Sequence, residues 1–373
     1  MRLSKSIIGD KEKGIVQDVL NEEYLGMGHY VQKFENNLSL YLNNKVSVVN
    51  SGTAALHLAL LAMGIGKGDE VLVPSLTYVA SYQAISATGA TPVSCDAILE
   101  SGHIDLDDAK RKVGPNTKAL MPVHYAGNPV DFESVQNFSK QHNVRIIEDA
   151  AHAFGSLHRN GKKVGEVGDV ICFSFDGIKN ITSGEGGAVV TSDKAIIQFV
   201  NDARLLGVHK DSDARYVGKR SWEFDVQHQG FRYHMSNIFA GIGLAQLERF
   251  DLEFKSARQT LARQYFELLN ATPNIECFAM DFDQVVPHIF PIKVLKNRDQ
   301  LRVQLIEQGI EAGIHYFPNH RLSFYKKPND VLPNTDALYD QLLTLPLHPE
   351  VTREDQLKIV EIINEFSRSF KLE

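Results

Sequence analysis

The chain is predicted to be an α/β protein. A large domain built on a mostly parallel, seven-stranded sheet between helices precedes a smaller C-terminal α+β domain. Three observations carry this reading. The chain has 373 residues, more than one hydrophobic core usually organises. Seven short apolar runs alternate with helix-like segments through its first two thirds, and strands buried on both faces and interleaved with helices pair in parallel. After about residue 248 the texture changes, which gives expected domains of 1–248 and 249–373.

Residues 10–21 mix apolar and charged side chains like an amphipathic helix. Residues 46–50 are a short β-branched run ending at Ser51-Gly52-Thr53, and AALHLALLAMGI then reads as a helix with a Ser/Thr start and a Gly stop. EVLVP (70–74) is a strand and SYQAISATG (81–89) a helix. TPVSCD (91–96) and KALMPVH (118–124) are strands, DFESVQNFSKQHN (131–143) a helix and VRIIED (144–149) a strand. DVICFSF (169–175) and GGAVVTS (186–192) complete the seven. In the second domain a long helical pattern over 250–270 leads to the strand HIFPIKVL (288–295), a helix over 297–309 and a C-terminal helix over 352–370.

Composition narrows the function. The net charge of -7 argues against a general nucleic-acid binder, which carries a basic surface to meet phosphates. Three scattered cysteines without a CxxC pair fit a reducing compartment better than a disulfide framework. The N-terminal stretch lacks the apolar core of a secretion signal, and no run of about 18 apolar residues could span a bilayer, so the expected location is the cytoplasm, with no membrane partner.

In an open α/β sheet, ligands bind beyond the carboxyl ends of the strands. Four candidates fall at such ends: Ser51-Gly52-Thr53, the TYVAS segment after residue 76, Asp149, and the stretch from Ser174 to Lys179. A Ser-Gly-Thr turn at a helix start offers N–H groups and a hydroxyl to an anion, although alone it could be an ordinary cap. GIGKGDE (64–70) lacks phosphate-loop spacing and precedes a strand, so it reads as a turn. Asp149 ends an apolar strand, where a half-buried carboxylate needs a cationic or donor partner. Lys179 lies between a strand and Gly-Glu-Gly-Gly; a lysine in a partly dry site loses proton affinity and can form a Schiff base with an aldehyde. Any one of these has a bland explanation. Together, a phosphate cup, a carboxylate and a desolvated lysine are what pyridoxal 5'-phosphate requires at its phosphate, ring nitrogen and aldehyde.

SGTAALHLAL, EDAAHAFGS, CFSFDGIKNITSGEGG, GIHYFP and PLHPEVT resemble the DegT/DnrJ/EryC1/StrS sugar aminotransferases, above all in F-S-F-x-x-x-K-x-x-T-x-G-E-G-G, and the resemblance runs from about residue 5 to 368. It implies a fold-type I enzyme dependent on pyridoxal phosphate. Lys179 would carry the cofactor and Asp149 would pair with its ring nitrogen. Gly52, Thr53, Ala54 and Ser174 would hold its phosphate, Tyr78 would stack on its ring, and His152 would lie near its phenolic oxygen. It also implies a homodimer with shared active sites. Two departures stand out: Asp176-Gly177 where many members have His-Pro, and Arg232 where many have an Asn that reaches the neighbouring subunit's phosphate. Arginine can replace an amide as a phosphate donor and adds charge.

The implied reaction moves an amino group from an amino acid, glutamate by resemblance, to a nucleotide-linked ketosugar. A dTDP-4-keto-6-deoxyhexose is the first substrate expected, in a pathway such as O-antigen lipopolysaccharide synthesis. His315, Tyr316 and His320 are candidate sugar-nucleotide contacts. Arg220, with Arg215, Lys219 and Trp222, lies in a loop-like stretch that could meet a diphosphate or simply be solvated. A 3-keto sugar aminotransferase, a sugar dehydratase and a non-catalytic regulator on the same fold remain alternatives. A dehydratase sub-branch carries histidine in place of the lysine, which this chain retains. A nicotinamide enzyme is disfavoured because no G-x-G-x-x-G follows the first strand.

Overall fold

The computed structural model describes residues 1–220, 222–328 and 330–369. Seven strands form the main sheet: β1 (Val46–Val49), β2 (Glu70–Pro74), β3 (Thr91–Cys95), β4 (Thr117–Leu120), β5 (Arg145–Asp149), β6 (Val170–Ser174) and β7 (Gly187–Val190). Their order is β1-β7-β6-β5-β4-β2-β3. Only β7 runs against its neighbours; β2 through β6 pair in parallel, and β1, antiparallel to β7, points the same way as β6. The carboxyl ends of six strands therefore share one edge, as does the start of β7.

Each expected strand is present; EVLVP keeps its bounds of 70–74, and the other six are one to three residues shorter. The run at 118–124 shows why: after Leu120 the chain leaves the ladder at Pro122, which has no N–H to donate, and touches β5 again only at Val123. Alternation along the strands assigns each side chain to a layer. Ile171 and Phe173 of β6 join one core with Phe34, Phe154 and Phe250, whereas Val170 and Cys172 join another with Leu56, Leu58 and Val73. The helix Gly52–Ala62 packs on β6 and β7 and against helices Val79–Ala87 and Lys194–Ala203. It is covered on every side, so Ala54 through Leu60 are all buried and its sequence lacks a polar stripe.

The second sheet has three antiparallel strands, β8 (Ile275–Cys277), β9 (Phe290–Val294) and β10 (Leu342–Leu345), in the order β10-β9-β8. Helices Lys255–Leu269, Arg298–Glu307 and Arg353–Arg368 supply its core through Leu261, Tyr265, Leu301, Leu305, Ile359 and Ile363. Helix Asn237–Arg249 continues through a π-helical turn, Phe250–Phe254, into Lys255–Leu269, and a domain boundary at 248/249 would fall one residue before the first of these ends. Among the described residues no helix is long and apolar enough to cross a membrane.

Candidate active site

At the shared edge lies a cavity of about 410 Å³. Its floor begins at the end of β1, where the extended Ser51 caps helix Gly52–Ala62 by accepting the Ala54 N–H on Oγ at 3.1 Å. The first N–H groups of a helix have no partner within it, and Ser51, Gly52 and Thr53 line the cavity there. Ala54 does not line it; its N–H serves the cap. Two glycines bring the pieces together. A Cβ on Gly52 would sit 2.8 Å from Ser174 Cβ, and one on Gly187 would sit 2.3 Å from Ser51 O. Without side chains there, the ends of β1 and β6 and the start of β7 close into one cradle.

Asp149 points into the cavity because it shares the face of Ile147 on β5, while Glu148 faces the opposite layer. Its Oδ2 accepts from Ser81 Oγ at 2.7 Å and its Oδ1 from the Ala151 N–H at 3.1 Å. Ser81 is itself 2.9 Å from Thr77 Oγ1. Among the described residues the carboxylate has no cation within ion-pair distance.

Lys179 follows β6 on a loop fastened by its own motif. Asn180 Nδ2 donates to Phe154 O and Val286 O, both at 3.1 Å. Thr182 Oγ1 accepts the Gly184 N–H at 2.8 Å, and the Thr182 N–H donates to Gln246 Oε1 at 3.3 Å. The lysine is partly exposed as a residue, burial nevertheless dominates at its amine, and its Nζ lies 3.4 Å from His288 Nε2. Burial, reinforced by Arg258, pulls its pKa down to about 8 against the opposing charges of Asp149 and Asp176.

On the facing wall, His152 Nε2 is 2.8 Å from Tyr316 OH, and its buried Nδ1 has no partner. Burial drives the His152 pKa well below its ordinary value, with Lys179 next in effect, so the ring is neutral. Tyr78 lines the cavity, is 59% exposed, and has its ring centroid 5.7 Å from that of Tyr316. His315 lines the cavity with Nδ1 2.9 Å from Thr344 Oγ1.

The other sequence candidates lie elsewhere. His320 is buried outside the cavity, with Nδ1 2.8 Å from Ser75 Oγ and Nε2 3.2 Å from Asp336. Arg232 and Arg220 are exposed and line no part of this cavity; the resemblance assigned Arg232 to the neighbouring subunit's site. Thr77 of the TYVAS segment lines the cavity as expected, whereas His288 and Glu185 line it without having been anticipated. His288 opens a strand-like run, where a single histidine carries no signal of its own.

Pyridoxal phosphate fits these residues. The cradle offers uncommitted helix N–H groups, Asp149 lacks a cation, His152 Nδ1 lacks a partner, and a desolvated amine stands among them.

Comparison with known proteins agrees. GDP-perosamine synthase of Escherichia coli O157:H7 is 38% identical over 362 residues, covering 95% of each chain. Spr1654 from Streptococcus pneumoniae, solved in a PMP-form, superposes with a TM-score of 0.91 at 28% identity over 99% of both chains, and its PLP-form with 0.90. PseC of Helicobacter pylori, an aminotransferase involved in the biosynthesis of pseudoaminic acid, gives 0.90 at 28% identity, again over 99% of both. The family model matches residues 6–364. With this coverage and this site, the chain belongs to the DegT/DnrJ/EryC1/StrS aminotransferase family and is a pyridoxal-phosphate-dependent enzyme of that family.

Proposed function

We propose that the protein transfers an amino group from L-glutamate to a nucleotide-linked ketosugar, acting as a homodimer. The first substrate we assign is a dTDP-4-keto-6-deoxyhexose, giving a 4-amino-4,6-dideoxyhexose for glycan biosynthesis. The observation that carries the reading is the meeting of Lys179, Asp149, Ser174 and the Ser51–Thr53 turn in one cavity.

When bound, pyridoxal phosphate supplies an electron sink for the charge left on a substrate carbon as its C–H bond breaks. The N–H groups of Gly52 and Thr53 and the Ser174 hydroxyl would bind the phosphate at the helix start. Tyr78 would cover the ring face, and His152 would lie against the phenolic oxygen. Asp149, held by Ser81 and Ala151, would keep a proton on the ring nitrogen. Lys179, when its amine is free, would take the proton from the donor's Cα; a pKa of about 8 leaves a useful neutral fraction of this base near neutral pH. In the second half-reaction the same side chain, as the ammonium, would deliver a proton to the sugar carbon that receives nitrogen. His315 and Tyr316, which line the cavity, would meet the sugar and keep water from the reacting carbon.

The relative's name makes a GDP-linked ketosugar the second substrate to try. The test has two stages. Cofactor-loaded protein mixed with glutamate should lose its yellow absorbance as the amino group is taken up. Addition of dTDP- or GDP-linked ketosugars should restore the colour and yield an aminosugar by mass spectrometry and NMR. No colour change with glutamate would refute the donor; no aminosugar from any nucleotide ketosugar would refute the acceptor class.

A further inference from the structure

We propose that His288 is a positioning residue for Lys179: its Nε2 accepts one N–H of the lysine's free amine and so holds that amine, lone pair available, in the cavity that both residues line. The inference rests on the assignment of Lys179 as the cofactor-bonding residue.

The geometry is specific. His288 is 2% exposed, and its Nε2 lies 3.4 Å from Lys179 Nζ. Its backbone is held at both ends. The His288 N–H donates to Ala126 O at 3.0 Å, and its carbonyl accepts from Arg258 Nη1 at 3.1 Å. The same guanidinium nitrogen also donates to Pro287 O at 3.4 Å and Leu347 O at 3.3 Å, which ties this segment to the end of β10. The ring is packed against His152, with centroids 4.5 Å apart, so it has little room to swing away. Burial, with Lys179 and His152 beside it, keeps the imidazole neutral. The buried Nδ1 has no partner among the described residues, so no second hydrogen bond sets the tautomer; we place the ring proton on Nδ1, which presents the Nε2 lone pair as an acceptor.

A lysine amine has two N–H bonds and one lone pair when neutral. Donating one N–H to His288 leaves the lone pair free for attack, and it removes part of the rotamer freedom that a four-carbon stem otherwise loses on reaction. The contact is open to the neutral fraction of the lysine only while it is not joined to the cofactor. Joining forms a C=N bond to the aldehyde carbon and releases one water, made from the carbonyl oxygen and both amine hydrogens. His288 itself neither gains nor loses a proton.

The test uses cofactor-free full-length protein mixed with excess pyridoxal phosphate, following the yellow absorbance of the lysine-bound cofactor by stopped flow. In His288→Phe the limiting rate at saturating cofactor should fall about tenfold, the size expected for one lost hydrogen bond. In His288→Gln, whose amide oxygen can accept the same N–H, it should stay within about threefold of the original. Urea unfolding midpoints of the cofactor-free proteins should agree; if the Phe variant does not fold, His288→Met takes its place. An unchanged rate in the apolar variant, or equal slowing in the Gln and apolar variants, overturns the role of His288 alone. Failure of the unaltered protein to develop yellow absorbance overturns the assignment of Lys179 as well.

Discussion

The enclosed amine of Lys179 makes a quantitative demand on its chemistry. Burial is the leading cause of its lowered pKa, Arg258 adds to it, and Asp149 and Asp176 oppose it, leaving a value of about 8. With that value the neutral fraction is about one in a hundred at pH 6, one in ten at pH 7 and one half at pH 8; an ordinary lysine near 10.4 holds about one in a few thousand at pH 7. The perturbation is pH, applied to the cofactor-free protein. The probe is trace acetic anhydride, with the extent of acetylation on the Lys179 peptide read by mass spectrometry. Corrected for reagent hydrolysis, the rate at Lys179 should rise about fifty-fold between pH 6 and 8 and only about twofold from there to pH 10. A solvent-exposed lysine of ordinary basicity climbs about tenfold per unit through most of that range. Asp176→Asn removes one of the charges favouring the ammonium, so its midpoint should lie lower still. A Lys179 profile still climbing tenfold per unit above pH 9 would refute the desolvation argument, and with it the claim that this amine is ready as a base near neutrality.

Three further outcomes follow from the same contacts. Asp149→Asn retains a group that Ser81 can bond but loses the charge proposed to face the ring nitrogen, so the glutamate half-reaction should slow at least about a hundredfold; a loss under fivefold would contradict the role. Asn180→Ala leaves the buried carbonyls of Phe154 and Val286 without a donor, which should cost about 2 kcal/mol in urea unfolding, and an unchanged midpoint would contradict the anchoring of the lysine loop. Glu148, fully enclosed behind the sheet, has its pKa raised to about 7 by burial, so the folded state holds a proton there that the unfolded state has released. Its contribution to stability is therefore lost as pH rises from about 4.5 to 7, and Glu148→Gln should gain on the original protein by about 3 kcal/mol across that window; parallel stability curves would contradict it.

Local patterns along the chain carry most of the architecture and the heart of the site. β-Branched runs and glycine punctuation mark the seven strands, and strand ends mark where Ser51, Asp149 and Ser174 meet. Elements with weaker punctuation escaped. Helix His29–Leu42 buries Val31, Phe34, Leu38 and Leu42 at helical spacing, but it starts from Gly28 without a side-chain cap and ends on a left-handed Asn43. β10 is a four-residue apolar run directly after helix Pro333–Gln341, too short to separate from it by periodicity. The site's second layer depends on contacts distant in sequence. His288 reaches Lys179 because Ala126 and Arg258 hold its backbone, and neither partner is visible in HIFPIKVL. His320 fails as a cavity residue for the same reason: five residues after His315, the 3₁₀ turn Asn319–Arg321 and a bond to Ser75 turn it into the interior. What was legible is set by local periodicity and turns; what was not is set by which distant carbonyl or hydroxyl a side chain finds.

The proposed chemistry depends on a covalent bond between Lys179 and the cofactor's aldehyde carbon. Protein saturated with pyridoxal phosphate, reduced with borohydride and digested, should carry the pyridoxyl mass on the peptide containing Lys179 and on no other lysine peptide. The tag on a different lysine, or its absence from fully loaded protein, would contradict the account.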